Sequence, residues 1–197
     1  PLYALLIEHR ENPLLAVLVL LLTLVSIPVP GYLGNKYMNI LKGGSINMVM
    51  AAGMLCVLLV GSIDISVTAI LAFAGALCGK LMGMGVIQST WLMFVLGIGI
   101  GAVIGALNGV LMSYGGVISI IVTLGTSYIV RALIPMDWLL GMNKVVPTDL
   151  TQGFKDSMVT NTFLGLPYLV WMAVVVTVVV GLFLKYARTG RNLYAVG

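Results

Sequence analysis

Six apolar runs constrain this chain more than anything else: residues 14–29, 46–61, 66–83, 91–112, 117–133 and 168–184. A helix needs about 20 mostly apolar residues to cross a bilayer core. The whole chain is 60% hydrophobic and 8% charged, whereas soluble domains average about 25% charged. So few charges cannot cover a water-exposed surface, so part of the solvent must be lipid. The expected fold is all-α, a polytopic transmembrane helical bundle of about six spans, some short or broken.

Charge placement sets a topology. Glu8, His9, Arg10 and Glu11 precede the first run. No small-x-small cleavage site follows it, where the chain reads Pro28-Val29-Pro30-Gly31-Tyr32. The run therefore reads as a first span starting from the cytoplasmic side, not as a signal peptide. Residues 31–44, with Lys36 and Lys42, read as a polar connector. Counting crossings from inside places 134–167, with Asp137, Lys144, Asp149, Lys155 and Asp156, outside. It returns Lys185, Arg188 and Arg191 to the inside, as the positive-inside rule requires. Lys36 and Lys42 run against that rule. The net charge of +4 thus reads as a juxtamembrane cluster and not as a nucleic-acid stripe. The chain opens on Pro1 and stops at Val196-Gly197 in mid-pattern, so a piece of a longer protein is expected.

The runs at 46–61, 66–83 and 117–133 are short. Residues 66–79, before Lys80, cannot span in a straight helix. Such segments are either extended by their polar flanks or are broken helices shielded by protein. In the fourth run Gly97, Gly101, Gly105 and Gly109 recur every fourth residue, a strip that lets another helix approach backbone to backbone. A tight bundle and a subunit interface both fit it.

A few polar residues stand inside the apolar sequence. Asp64 has no acidic neighbour nearer than Glu11 or Asp137. It can cap the following helix by accepting from Ser66 or Val67 N–H groups, or line a transport path. Asn108 can make an interhelical hydrogen bond or face a pore. Thr123 and Thr126 can bond back to their own helix or line a path. Arg131 can pair with Asp137 or meet a partner. Cys56 and Cys78 lie inside apolar runs without redox or metal spacing and read as packing residues. His9 is the lone histidine and lies outside every run. With no zinc motif, no G-x-S-x-G and no P-loop, the chain reads as a non-enzyme without metal or cofactor that hydrolyses no ATP itself.

Four stretches carry a resemblance: "GSIDIS" from Gly61, "GALNGVLMSYGGV" from Gly105, "IVTLGTSYIVRAL" from Ile121 and "KYARTGRNLYAVG" from Lys185. In this order and spacing the chain resembles the membrane permease of sugar-importing ABC transporters, of the ribose, galactose and autoinducer type. It departs at Ser62, Thr68 and Ala132, where that family carries glycine. The resemblance implies a bacterial plasma (inner) membrane location and a chain continuing past Gly197 by about four helices. It implies a second permease subunit, a cytoplasmic ATPase and an extracytoplasmic solute-binding protein as partners. The expected function is import of a monosaccharide by alternating access. Residues 1–197 would be one permease domain, incomplete at the C-terminus, with 134–167 facing the binding protein. The coupling loop at 187–197 would contact the ATPase through Arg188, Thr189, Gly190, Arg191, Asn192 and Tyr194. Asp64, Asn108, Thr123, Thr126 and Arg131 are the substrate-path candidates. The alternative is an ion-coupled secondary transporter with Asp64 as its coupling site.

Overall fold

The computed structural model describes residues 12–27, 32–136 and 162–196. Among them are seven helices: α1 (Asn12–Ser26), α2 (Tyr32–Leu59), α3 (Val67–Gly83), α4 (Thr90–Ser113), α5 (Ser119–Leu133), α6 (Tyr168–Tyr186) and α7 (Arg188–Val196). A short antiparallel hairpin, β1 (Thr162–Phe163) and β2 (Leu166–Pro167), precedes α6. The all-α bundle expected from the sequence is the fold observed. By length and apolarity α2 from Lys36, α4 and α6 can each cross a membrane, while α1, α3 and α5 are shorter.

The chain divides into two compact units, Pro1–Gly44 and Ser45–Gly197. In the first, α1 is rich in leucine and valine and leaves Val17, Leu18, Leu20 and Leu21 exposed. The polar connector expected at 31–44 is instead helical from Tyr32 and continues into α2, a helix of 28 residues. No proline lies between Pro30 and the end of α2, and Tyr37, Met38, Ile40 and Leu41 intersperse Lys36, Asn39 and Lys42. Gly43 and Gly44 cost about 1 kcal/mol each against alanine, too little to end so long a helix.

In the second unit α3, α4 and α5 pack on one another. Small side chains on α3 make this possible: Ala69, Ala74, Ala76, Cys78 and Gly79 are buried. Cys78 and Met82 meet Ile87 and Met93, with Leu96 and Ile100 against them. Lipid tails are as apolar as leucine, so close dispersion contact and interhelical hydrogen bonds hold such a cluster. The glycine strip of α4 lies outside this packing. A methyl group added at Gly97, Gly101, Gly105 or Gly109 would meet no described atom within 4 Å.

The hairpin turns through Leu164 (φ 51°) and Gly165 (φ 77°), two positive values that mark a type I′ turn. Trp171 of α6 donates its indole N–H to the Phe163 carbonyl at 2.9 Å and meets the Phe163 ring edge-on at 5.9 Å. Most of the 134–167 segment, with Asp137, Trp138, Lys144, Asp149, Lys155 and Asp156, lies outside the described residues.

Candidate functional site

The helical path breaks between α2 and α3. The end of α2 is closed by two backbone bonds, Gly61 N–H to the Leu58 carbonyl (2.9 Å) and Ser62 N–H to the Val57 carbonyl (3.2 Å). Together they form a Schellman cap, whose turning residue takes a left-handed conformation. Gly61 supplies it at φ 71°. Gly61→Ala should therefore destabilise the protein by about 1–2 kcal/mol, read as a lower unfolding midpoint of the full-length purified protein. An unchanged midpoint would contradict this geometry.

From Ser62 to Ser66 the backbone is not helical, so its polar groups need partners from outside the ladder. α5 supplies them. Ile63 donates its N–H to Ser119 Oγ at 3.1 Å. The Thr123 hydroxyl lies 2.9 Å from the Ser119 carbonyl of its own helix and 3.4 Å from the Ile63 carbonyl. With one proton to give, the shorter bond within α5 dominates. Back-bonding was one of the two readings expected for this threonine.

Asp64 is the start of a relay. Its Oδ1 accepts the Ser66 N–H at 2.8 Å and the Ser66 hydroxyl at 2.6 Å. The carboxylate thus fixes the turn just before α3, through Ser66; no bond to Val67 accompanies it. Ser66 Oγ in turn accepts from Asn108 Nδ2 at 3.1 Å. Asn108 Oδ1 accepts from the Thr126 hydroxyl at 2.6 Å. Every proton in this series is donated toward the carboxylate, an order in which each bond polarises the next. Ser66 and Thr123 are fully buried and Asn108 is 2% exposed. Three separate sequence motifs therefore meet at one polar junction between α3, α4 and α5.

The contacts of the junction extend along α5. Ser119 and Arg131 are about 18 Å apart along the helix at 1.5 Å per residue, more than half of a core about 30 Å thick. Ser119 meets Ile63, Thr126 connects through Asn108 to Ser66, and Arg131 Nη2 donates to Thr68 Oγ1 at 3.1 Å. The non-helical segment thus meets the first turns of α5, and α3 carries the contact on to Arg131. A break of this kind was one of the two options for the short third run.

Of the five path candidates, Asp64, Asn108, Thr123 and Thr126 come together. Arg131 joins them through Thr68; Asp137, its other expected partner, lies outside the described residues. Sequence reasoning missed Ser66 and Ser119 as members of the site. The signal for Ser66 was present, because Asp-x-Ser is the spacing at which a carboxylate accepts the N–H two residues on.

A second polar feature sits at the end of α6. The 187–197 segment was expected as a basic turn; residues Arg188–Val196 are helical, α7. The reason is the alternation of Gly190 and Leu193, turned toward the protein, with Arg188, Thr189, Arg191, Asn192 and Tyr194, all exposed. That is the pattern of a helix lying along a surface. α7 packs on α6, and Gly190 marks the contact. A methyl group there would strike the Phe183 carbonyl and come within 2.8 Å of Leu184 Cα. Lys185, Arg191 and Tyr194 line an open cavity of about 600 Å³ beside Leu55, Gly181 and Leu184.

Comparison with known proteins gives a consistent set. A family model described as "Branched-chain amino acid transport system / permease component" matches residues 37–197. The ribose import permease protein RbsC of Haemophilus influenzae is 31% identical over 202 residues, 98% of this chain and 58% of that protein. The L-arabinose ABC transporter permease protein AraH of Azospirillum brasilense is 31% identical over 190 residues, covering 96% of this chain and 54% of that protein. The D-allose transport system permease protein AlsC of Escherichia coli is 31% identical over 167 residues, 83% and 48% respectively. The chain thus spans less than two thirds of the length of each of these curated relatives. No solved structure matches it.

Proposed function

The chain belongs to the family of permease components of branched-chain amino acid transport systems, and from that premise we propose that it is part of the membrane permease of an ABC importer for a monosaccharide. The observation that carries the transport reading is the break between α2 and α3. A non-helical segment between two apolar helices, with the Ile63 N–H held by Ser119 of α5, is the kind of construction transporters use where a solute passes. The relatives named above favour a sugar over an amino acid as cargo.

In this reading no bond is made or broken in the chain. The solute moves past polar groups that open to one side of the membrane at a time. The energy comes from ATP hydrolysed on a cytoplasmic partner, which docks on α7 through Arg188, Thr189, Arg191, Asn192 and Tyr194. A binding protein delivers the sugar at the extracytoplasmic face, to residues 134–167. The α4 strip at Gly97, Gly101, Gly105 and Gly109 is open for close packing with a further helix of the same subunit or of a second one. The membrane is the bacterial plasma (inner) membrane.

The test is uptake into proteoliposomes by the full-length permease with its ATPase and binding protein. Ribose uptake should require ATP and continue when ionophores collapse proton and sodium gradients. Uptake by the permease alone, driven by a proton gradient without ATP, would sink the proposal and leave Asp64 as an ion-coupling site.

A further inference from the structure

We infer that Asp64 and Thr68 form a sugar-hydroxyl subsite, with Arg131 as the residue that positions Thr68. The inference rests on the permease reading above and names where the solute is held. Beside the break lies an open cavity of about 450 Å³ whose lining includes Met50, Met54, Ile65, Asp64 and Thr68. Small-molecule sites have this size and this make-up, mostly apolar with a few polar groups that fix orientation.

The polar junction separates bystanders from participants. Ser66, Asn108, Thr123 and Thr126 spend their hydrogen-bonding groups on one another or on backbone and are not among the lining residues. Asp64 and Thr68 differ. The Asp64 Oδ1 atom already holds both Ser66 donors, and among the described residues no donor meets its second oxygen. Thr68 Oγ1 accepts from Arg131, which leaves its own proton free to donate. The two residues are four positions apart in sequence, on either side of the start of α3. The cavity therefore offers one charged acceptor and one directed donor above an apolar floor. A sugar ring presents the complement, adjacent hydroxyls that both give and take, and a C–H face for Met50, Met54 and Ile65.

The experiment uses the full-length importer in proteoliposomes with sugar-loaded binding protein at saturation, so that steps after delivery limit uptake. Thr68→Val keeps the shape and removes the donor. It should lower ribose moved per ATP hydrolysed about tenfold. Thr68→Ser should restore most of the loss. Single-deoxy riboses should separate contact from structure. The analogue lacking the hydroxyl that Thr68 holds should be moved equally poorly by wild type and Thr68→Val, while the other analogues still tell the two proteins apart. Unchanged ribose per ATP in Thr68→Val, or the same penalty for every analogue, would overturn the subsite and leave the permease reading standing. Failure of the wild-type complex to take up any sugar under ATP would overturn both.

Discussion

Asn108→Leu should loosen the junction between α3, α4 and α5 and reduce transport far more than it reduces expression. The substitution removes the acceptor for Thr126 and the donor to Ser66 at once. Neither orphan is left wholly stranded. The Thr126 hydroxyl can turn to a carbonyl of its own helix, and Ser66 keeps Asp64. Interhelical bonds of this kind contribute about 0.6–2 kcal/mol each in membranes. The expected loss is therefore about 2 kcal/mol in total, and not the larger figure of two unsatisfied buried groups. That is still about 30-fold in the population of the closed junction, since about 1.4 kcal/mol is a factor of ten. Leucine is nearly isosteric, so no cavity adds to the effect.

Asn108→Asp distinguishes the donor from the acceptor. An aspartate can still accept from Thr126 but, when ionised, cannot donate to Ser66, and it places a like charge near Asp64. It should behave worse than leucine, although it is the closer isostere. Thermal unfolding of the full-length protein and cross-linking of cysteines introduced at Ile63 and Ser119 would read both variants. If Asn108→Asp unfolds and transports like wild type, the direction of donation assigned to the relay is wrong.

The gross architecture was readable because hydrophobicity in a membrane protein is a local property of the chain. Runs at 91–112 and 168–184 became α4 and α6 within a residue or two. The site was readable only as its members. Asp64, Asn108, Thr123 and Thr126 stood out as polar groups in apolar sequence, but nothing local says that Asn108 reaches Ser66, far away in the chain. That pairing depends on how closely α3 approaches α4, which the alanines of α3 decide. Two features were misjudged for one reason. Residues 31–44 and 187–197 carry polar side chains at mixed spacing, and they were taken for a connector and a coupling loop. In the structure each is a helix with unlike faces, and polarity alone does not distinguish that from a loop. Thr68 shows the opposite case. As a departure from the glycine of the resembling family it adds a branched side chain without saying what that side chain does, and it bears the contact with Arg131.

The largest single effect is expected at Gly190. An exposed helical glycine replaced by alanine normally gains about 1 kcal/mol of helix propensity. Gly181 of α6, where a methyl group would meet nothing within 4 Å, should follow that rule: Gly181→Ala should be neutral or slightly stabilising. Gly190 should reverse the sign. There the methyl group meets the Phe183 carbonyl and Leu184 Cα, which are backbone atoms of the last turn of α6 and cannot rotate aside as a flexible side chain would. Forced overpacking costs about 1–3 kcal/mol, enough to cancel the propensity gain and lift α7 from α6. The consequence reaches function because α7 carries the proposed docking residues on its far face. Arg188, Arg191 and Tyr194 would keep their chemistry and lose their position. Gly190→Val, with a bulkier branched side chain, should leave the permease folded and in the membrane yet release the ATPase during purification and abolish ATP-driven uptake. Gly190→Ala should fall between. Retention of the ATPase by Gly190→Val, at the wild-type ratio, would mean that α7 either yields without moving its outer face or is not the docking element.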